Sequence, residues 1–146
     1  MKKIILVVNA LYVLILLSSC QKMPPSQIVH PDSSTPAIEW TRDEQAQGFV
    51  IRTLRTTEEA SYHVVRLRGA EKPHTHDLHD LVVFMTKGKV IFHLGDHTVN
   101  AKAGDVIEIP RGIPHWAENI SEGASEAYLI FTPPFDNKDT QPVKEG

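Results

Sequence analysis

The 146-residue chain has a single cysteine, little surplus basic charge and no apolar run long enough to span a bilayer comfortably. One cysteine excludes disulfide stapling. Because that residue, Cys20, closes the N-terminal apolar segment, the rest of the chain also lacks a thiol nucleophile or thiolate ligand. Lys and Arg together number 15 against 18 Asp and Glu, a net charge of −3, and they form no basic stripe. Nucleic acid is therefore not an expected partner, and the imbalance is too small for a disordered acidic tail. The longest apolar run covers residues 4–17, short of the roughly 20 residues that a membrane-spanning helix needs. No long stripe of period 3.6 and no internal repeat appear, which argues against a helical bundle or a solenoid.

What is there begins with an address. Lys2 and Lys3 precede the apolar run, which ends in Leu17-Ser18-Ser19-Cys20. A positive start, an apolar middle and a small-residue end make an export signal. This ending resembles the lipobox of bacterial lipoproteins. The resemblance implies cleavage before Cys20, lipidation of Cys20, and anchoring to a membrane outside the cytoplasm, on the periplasmic or outer-membrane side. Several acyl chains on one residue give stable attachment. Residues 1–19 are thus expected as signal peptide and 20–40 as a lipidated, flexible linker. Pro24, Pro25, Pro31 and Pro36 lie there among polar residues, a composition suited to an extended spacer. Residues 136–146 are polar, and a fraying tail is expected.

Between them, residues 41–135 read as one domain of short strands. The segments 49–53, 62–68, 81–86, 90–94, 98–101, 106–109 and 127–132 are rich in Val, Ile, Phe and Tyr, which suit pleated, half-buried surfaces. Glycine-bearing turns separate them at intervals typical of a sandwich or barrel. A helical turn is expected near residues 43–47.

Histidine is unusually common, with eight in the chain. Gly69-x4-His74-x-His76-x2-His79-Asp80 places two imidazoles two residues apart, on one face of a strand. That spacing lets both reach one metal ion, and His79 or Asp80 would return from the next strand to complete the set. A second pattern, Gly104-x5-Pro110-x-Gly112-x2-His115-x3-Asn119, turns twice and delivers another imidazole, that of His115.

Together these patterns resemble the two motifs of the cupin superfamily, over about residues 48–134. The second motif is matched at every fixed position; in the first, no glutamate follows the histidine pair. The resemblance implies an all-β, single-domain double-stranded β-helix, the cupin-type jelly-roll barrel. It implies a metal held by His74, His76 and His115, with either His79 or Asp80 in the glutamate's place. It also suggests a homodimer, since members often pair through sheet edges. His30, His63, His93 and His97 fall outside the pattern and are expected to face solvent. Glu108 reads as a rim charge, Trp116 as a packing residue and Asn119 as a turn tie.

Imidazoles with at most one carboxylate suit a divalent transition metal (Fe, Mn, Ni, Cu or Zn) and disfavour Mg and Ca. Three function classes follow. One is a metal-dependent enzyme acting on a small extracytoplasmic molecule, by dioxygenation or by isomerase or lyase chemistry. Another is a metal- or ligand-binding module without turnover. The last is a structural or signalling barrel stapled by its metal. No general base is evident outside the ligand set, which favours the dioxygenase version of the first.

Overall fold

The computed structural model describes residues 27–30, 33–35 and 38–143. The expected signal segment and Cys20 lie outside them. Two compact units divide the chain at Ala37 and Ile38. In the first, within the stretch expected as an extended spacer, β1 (Ile28–His30) pairs antiparallel with β2 (Ser33–Thr35). Ile28, Val29 and Thr35 are β-branched, which favours this pairing.

The second unit opens with the short helix α1 (Arg42–Ala46), one residue from the expected turn. Thr41 caps it and Glu44 returns the bond, a capping box. Glu44 also grips Arg52 at 2.6 Å, and that guanidinium holds its carboxyl down at about 2.

Ten strands follow: β3 (Phe49–Thr56), β4 (Ser61–Leu67), β5 (His74–Thr75), β6 (Asp80–Lys87), β7 (Lys89–Leu94), β8 (His97–Lys102), β9 (Val106–Ile109), β10 (His115–Asn119), β11 (Ser125–Thr132) and β12 (Gln141–Pro142). They form two five-stranded antiparallel sheets, ordered β12-β5-β10-β7-β8 and β3-β4-β11-β6-β9. All seven expected strands are present. β10 was not foreseen as a strand, because its sequence, His-Trp-Ala-Glu-Asn, lacks a run of β-branched residues. Register with β7 and β5 on either side supplies what propensity does not.

Strand alternation builds the core. Leu81, Val83 and Met85 on β6 point inward, as do Val90 and Phe92 on β7, Ile107 and Ile109 on β9, and Ala127, Leu129 and Phe131 on β11. The jelly-roll barrel expected from the motifs is the architecture found. β6 and β7 are joined through Gly88, whose φ of +80° only glycine adopts readily; a Cβ there would lie 2.4 Å from Ser125 Oγ. Asn119 is the expected turn tie: its side-chain amide donates to the carbonyls of Arg68, Ser121 and Gly123. Among the described residues, no helix is long and apolar enough to cross a membrane.

Two expectations fail here. His63 is 1 % exposed rather than solvent-facing. It follows the parity of Val65 and Leu67 on β4, so its ring turns inward, where Thr53 and Ser61 hydroxyls meet its two nitrogens. Residues 136–143 do not fray either. Phe135 stacks on Phe131 with centroids 4.4 Å apart, Asp139 is buried, and β12 pairs with β5. The composition of that segment is polar and most of its side chains are exposed, but Asp139 is buried against the loop that follows β5.

Candidate metal centre

β5 and β10 are neighbours in one sheet, and register places His115 directly opposite His74. His76 follows two residues after His74, so strand alternation brings all three rings to one place. Their centroids are 4.4 Å apart for His74–His115, 5.0 Å for His74–His76 and 5.2 Å for His76–His115. One nitrogen from each lies within 4.8 Å of the others, and the three could hold a metal ion.

Hydrogen bonds fix which nitrogen that is. His74 Nδ1 donates to the Lys72 carbonyl and His115 Nδ1 to the Ile113 carbonyl, both at 2.8 Å; His76 Nδ1 donates to the Asp139 carbonyl. A carbonyl can only accept, so each Nδ1 carries the proton and each neutral ring keeps its lone pair on Nε2. This is how carbonyls commonly orient metal-bound histidines. His115 Nε2 is buried without any hydrogen-bond partner. An orphaned acceptor there is costly, and a cation would satisfy it. Burial also holds the His115 ring at about 4 and pushes His76 down, so both are ready as neutral ligands.

His79 and Asp80 do not join the cluster. His79 Nδ1 lies 2.6 Å from the Asp139 carboxylate and its Nε2 lies 3.2 Å from the Pro134 carbonyl. Both neighbours are acceptors, and a ring that satisfies both by donating has no lone pair to offer. Asp80 turns outward and meets Arg111 through both carboxylate oxygens, at 2.7 Å for the shorter side-chain contact; the pair holds its carboxyl at about 2. Parity explains this, since Asp80 and the core residue Leu81 occupy opposite faces of β6. The donor set is three imidazoles without a carboxylate.

The cluster opens into a cavity of about 510 Å³ inside the barrel, walled by Ile51, Leu67, Met85, Phe92, Leu129 and Phe131 among others. Two acidic residues among its lining, Glu71 and Glu126, were not singled out in the sequence, and Glu126 is paired with Lys87 at 2.9 Å. Glu71, three residues before His74, lines the same cavity. Its Oε2 accepts from Ala117 N–H at 2.9 Å, while its own N–H donates to the Ala117 carbonyl. Burial pushes its carboxyl pKa up, partly offset by His74. Glu71 is thus a carboxyl group outside the expected ligand set that lines the same cavity. The one available signal was position: Glu71 sits between Gly69 and His74, inside the first motif.

His93 and His97 lie away from the cluster. His93 stacks flat on Trp116 at 4.1 Å and meets Glu118 at 3.0 Å, which makes Trp116 the packing residue expected. His97 and Glu108 are exposed, as expected. The side chain of His30 lies outside the described residues.

Comparison with known proteins agrees with this picture. The cupin domain family matches residues 62–131. An uncharacterized protein of Aquifex aeolicus is 33% identical over 103 residues, covering 70% of this chain and 84% of its own. KdgF from a Halomonas species superposes with a TM-score of 0.58 at 24% identity, over 62% of this chain and 83% of that one. Pac13, a nucleoside dehydratase of Streptomyces, superposes at 0.57 with 20% identity, over 66% and 79%. Identities this low carry the fold and not the reaction.

Proposed function

The chain belongs to the cupin domain family, and from that premise we propose that its barrel binds a divalent transition metal on His74, His76 and His115 to act on a small molecule. The observation that carries this reading is the buried, unpartnered Nε2 of His115, aimed with two matching imidazole nitrogens at one point. Three nitrogen donors suit Fe, Mn, Ni, Cu or Zn. A metal so held supplies Lewis acidity and open coordination positions for an oxygen of the ligand.

The chain's own residues define the rest. The mainly apolar wall excludes water and favours a molecule with a polar, coordinating head and an apolar body. Glu71 stands in the same cavity as a carboxyl group whose pKa burial raises, the direction that favours its protonated form and suits a group that takes up or returns a proton. A positioned acid or base supports isomerase or lyase chemistry, which the sequence alone had disfavoured against dioxygenation. Binding without turnover is the second reading, and the three-histidine set fits it equally.

Elemental analysis of the full-length protein, solubilised in detergent and purified without a histidine tag, tests this. Near-stoichiometric zinc, nickel or manganese supports proton-transfer chemistry or binding. Iron together with oxygen consumption supports dioxygenation. Absence of metal after reloading with each ion defeats the metal reading.

We also propose that Cys20 carries lipid and holds the barrel on a membrane outside the cytoplasm. The support is the sequence of residues 1–20, with its two lysines, apolar run and Leu-Ser-Ser-Cys end.

A further inference from the structure

We propose that the C-terminal segment 135–143 is a strap that positions the metal centre, with Asp139 as its positioning residue. The inference rests on the metal reading above and extends it to residues outside both motifs.

Asp139 sits 6 % exposed and makes every contact towards the loop between β5 and β6. Its carboxylate accepts from Asp77 N–H at 3.0 Å, Leu78 N–H at 2.8 Å and His79 Nδ1 at 2.6 Å. Its backbone carbonyl accepts from His76 Nδ1. One residue, more than 60 positions away in sequence, thus anchors the loop that follows His76 and fixes which nitrogen of that ring is free. His74 and His115 take their orienting carbonyls from within two residues of themselves. His76 alone of the three depends on a distant segment.

The rest of the strap holds Asp139 in place. On one side Phe135 packs edge-on against His76 at 5.1 Å, and its N–H donates to Ser61 Oγ. On the other, Gln141 and Pro142 pair with Thr75 and His74, and Val143 N–H donates to the Pro73 carbonyl. Phe135, Asn137, Thr140 and Pro142 also line the cavity beside the histidines. The segment therefore forms a wall of the ligand chamber as well as the support for His76.

The test uses full-length protein in detergent, as wild type, Asp139→Asn and His79→Gln. The first readout is nitrogen NMR of labelled histidine in metal-free protein. Wild-type His76 should be a single Nδ1–H tautomer; in Asp139→Asn it should average between tautomers while His115 stays fixed. The second readout is cobalt(II) affinity, by competition with a chromophoric chelator. Loss of an orienting partner should weaken binding about 10- to 100-fold in Asp139→Asn, and at least about threefold in His79→Gln, which keeps the carboxylate but frees one of its contacts. A purely structural role would lower the melting temperature and leave the His76 tautomer and the cobalt absorption bands unmoved. An unchanged tautomer and affinity in whichever variant folds overturns the strap. Failure of wild type to bind cobalt defeats the metal reading instead, and the tautomer measurement then decides on the strap by itself.

Discussion

His115 faces His74 in register across two neighbouring strands, with ring centroids 4.4 Å apart. Like-charged rings could not share that spacing without mutual repulsion, and burial already disfavours charge on His115. Burial favours the neutral ring of His115, and each of the two rings commits its Nδ1 proton to a backbone carbonyl. Such a pair is arranged for a cation between its free nitrogens.

Replacing His115 or His76 by alanine is expected to lower metal affinity by more than about a hundredfold, since each removes a direct ligand rather than a supporting group. The barrel should persist, because the core that closes it is aliphatic and aromatic. Metal content and far-ultraviolet circular dichroism of the two variants check this. Full metal retention in either would remove that residue from the ligand set.

Asp80→Asn should bind metal as the wild type does, because Asp80 spends both oxygens on Arg111. Loss of metal from this variant, measured by the same elemental analysis, would show that the carboxylate moves onto the ion.

Stability of the metal-free protein should fall as pH drops from 6.5 towards 4. His115 has a folded value of about 4 against 6.5 unfolded, so between those limits the unfolded chain takes up a proton that the native state refuses. The stabilisation is complete above 6.5 and is lost on acidification, up to about 3 kcal/mol for His115. His76 and His63 are shifted in the same direction by burial. Urea unfolding between pH 7 and 4.5 should show the slope, and His115→Gln should flatten it. A level profile in the wild type would count against the buried neutral ring.

Glu71→Gln should keep the Ala117 contact and the metal, yet depress any dehydration or isomerisation that the wild type supports by about a hundredfold or more. Equal turnover in the variant would return Glu71 to a packing role.

Gly88→Ala should destabilise the protein by about 2 kcal/mol or more, combining the cost of a side chain in left-handed backbone with disturbed hydroxyl hydrogen bonds. The new Cβ would meet Ser125 Oγ at 2.4 Å and Ser121 Oγ at 2.8 Å. Thermal unfolding that matches wild type would show that the turn can relax.

Cys20→Ser should move the protein from the membrane fraction to the soluble fraction, as fractionation and immunoblotting would report. Continued membrane association would defeat the lipid-anchor proposal.

The sequence by itself determined the barrel and three of the histidines that meet. Alternation of period two placed the core strands, and glycine and proline punctuation placed the turns, because both act over a few neighbouring residues. His74 and His76 could be paired from spacing alone, and His115 joined them through the resemblance of its motif to the second cupin motif. What only the tertiary structure decided lies further apart in the chain. Whether His79 or Asp80 turns towards the cluster depends on Asp139 and Arg111, which capture them from distant segments. Glu71 becomes a cavity group only when β10 lies beside it and Ala117 ties its carboxylate. The polar C-terminal segment is held in place by loop amides, a histidine and the single stacked ring of Phe135, so its composition could not announce its order. Local patterns fix which way a strand's side chains alternate; which buried polar groups find each other depends on long-range hydrogen bonds that exist only once the chain has closed.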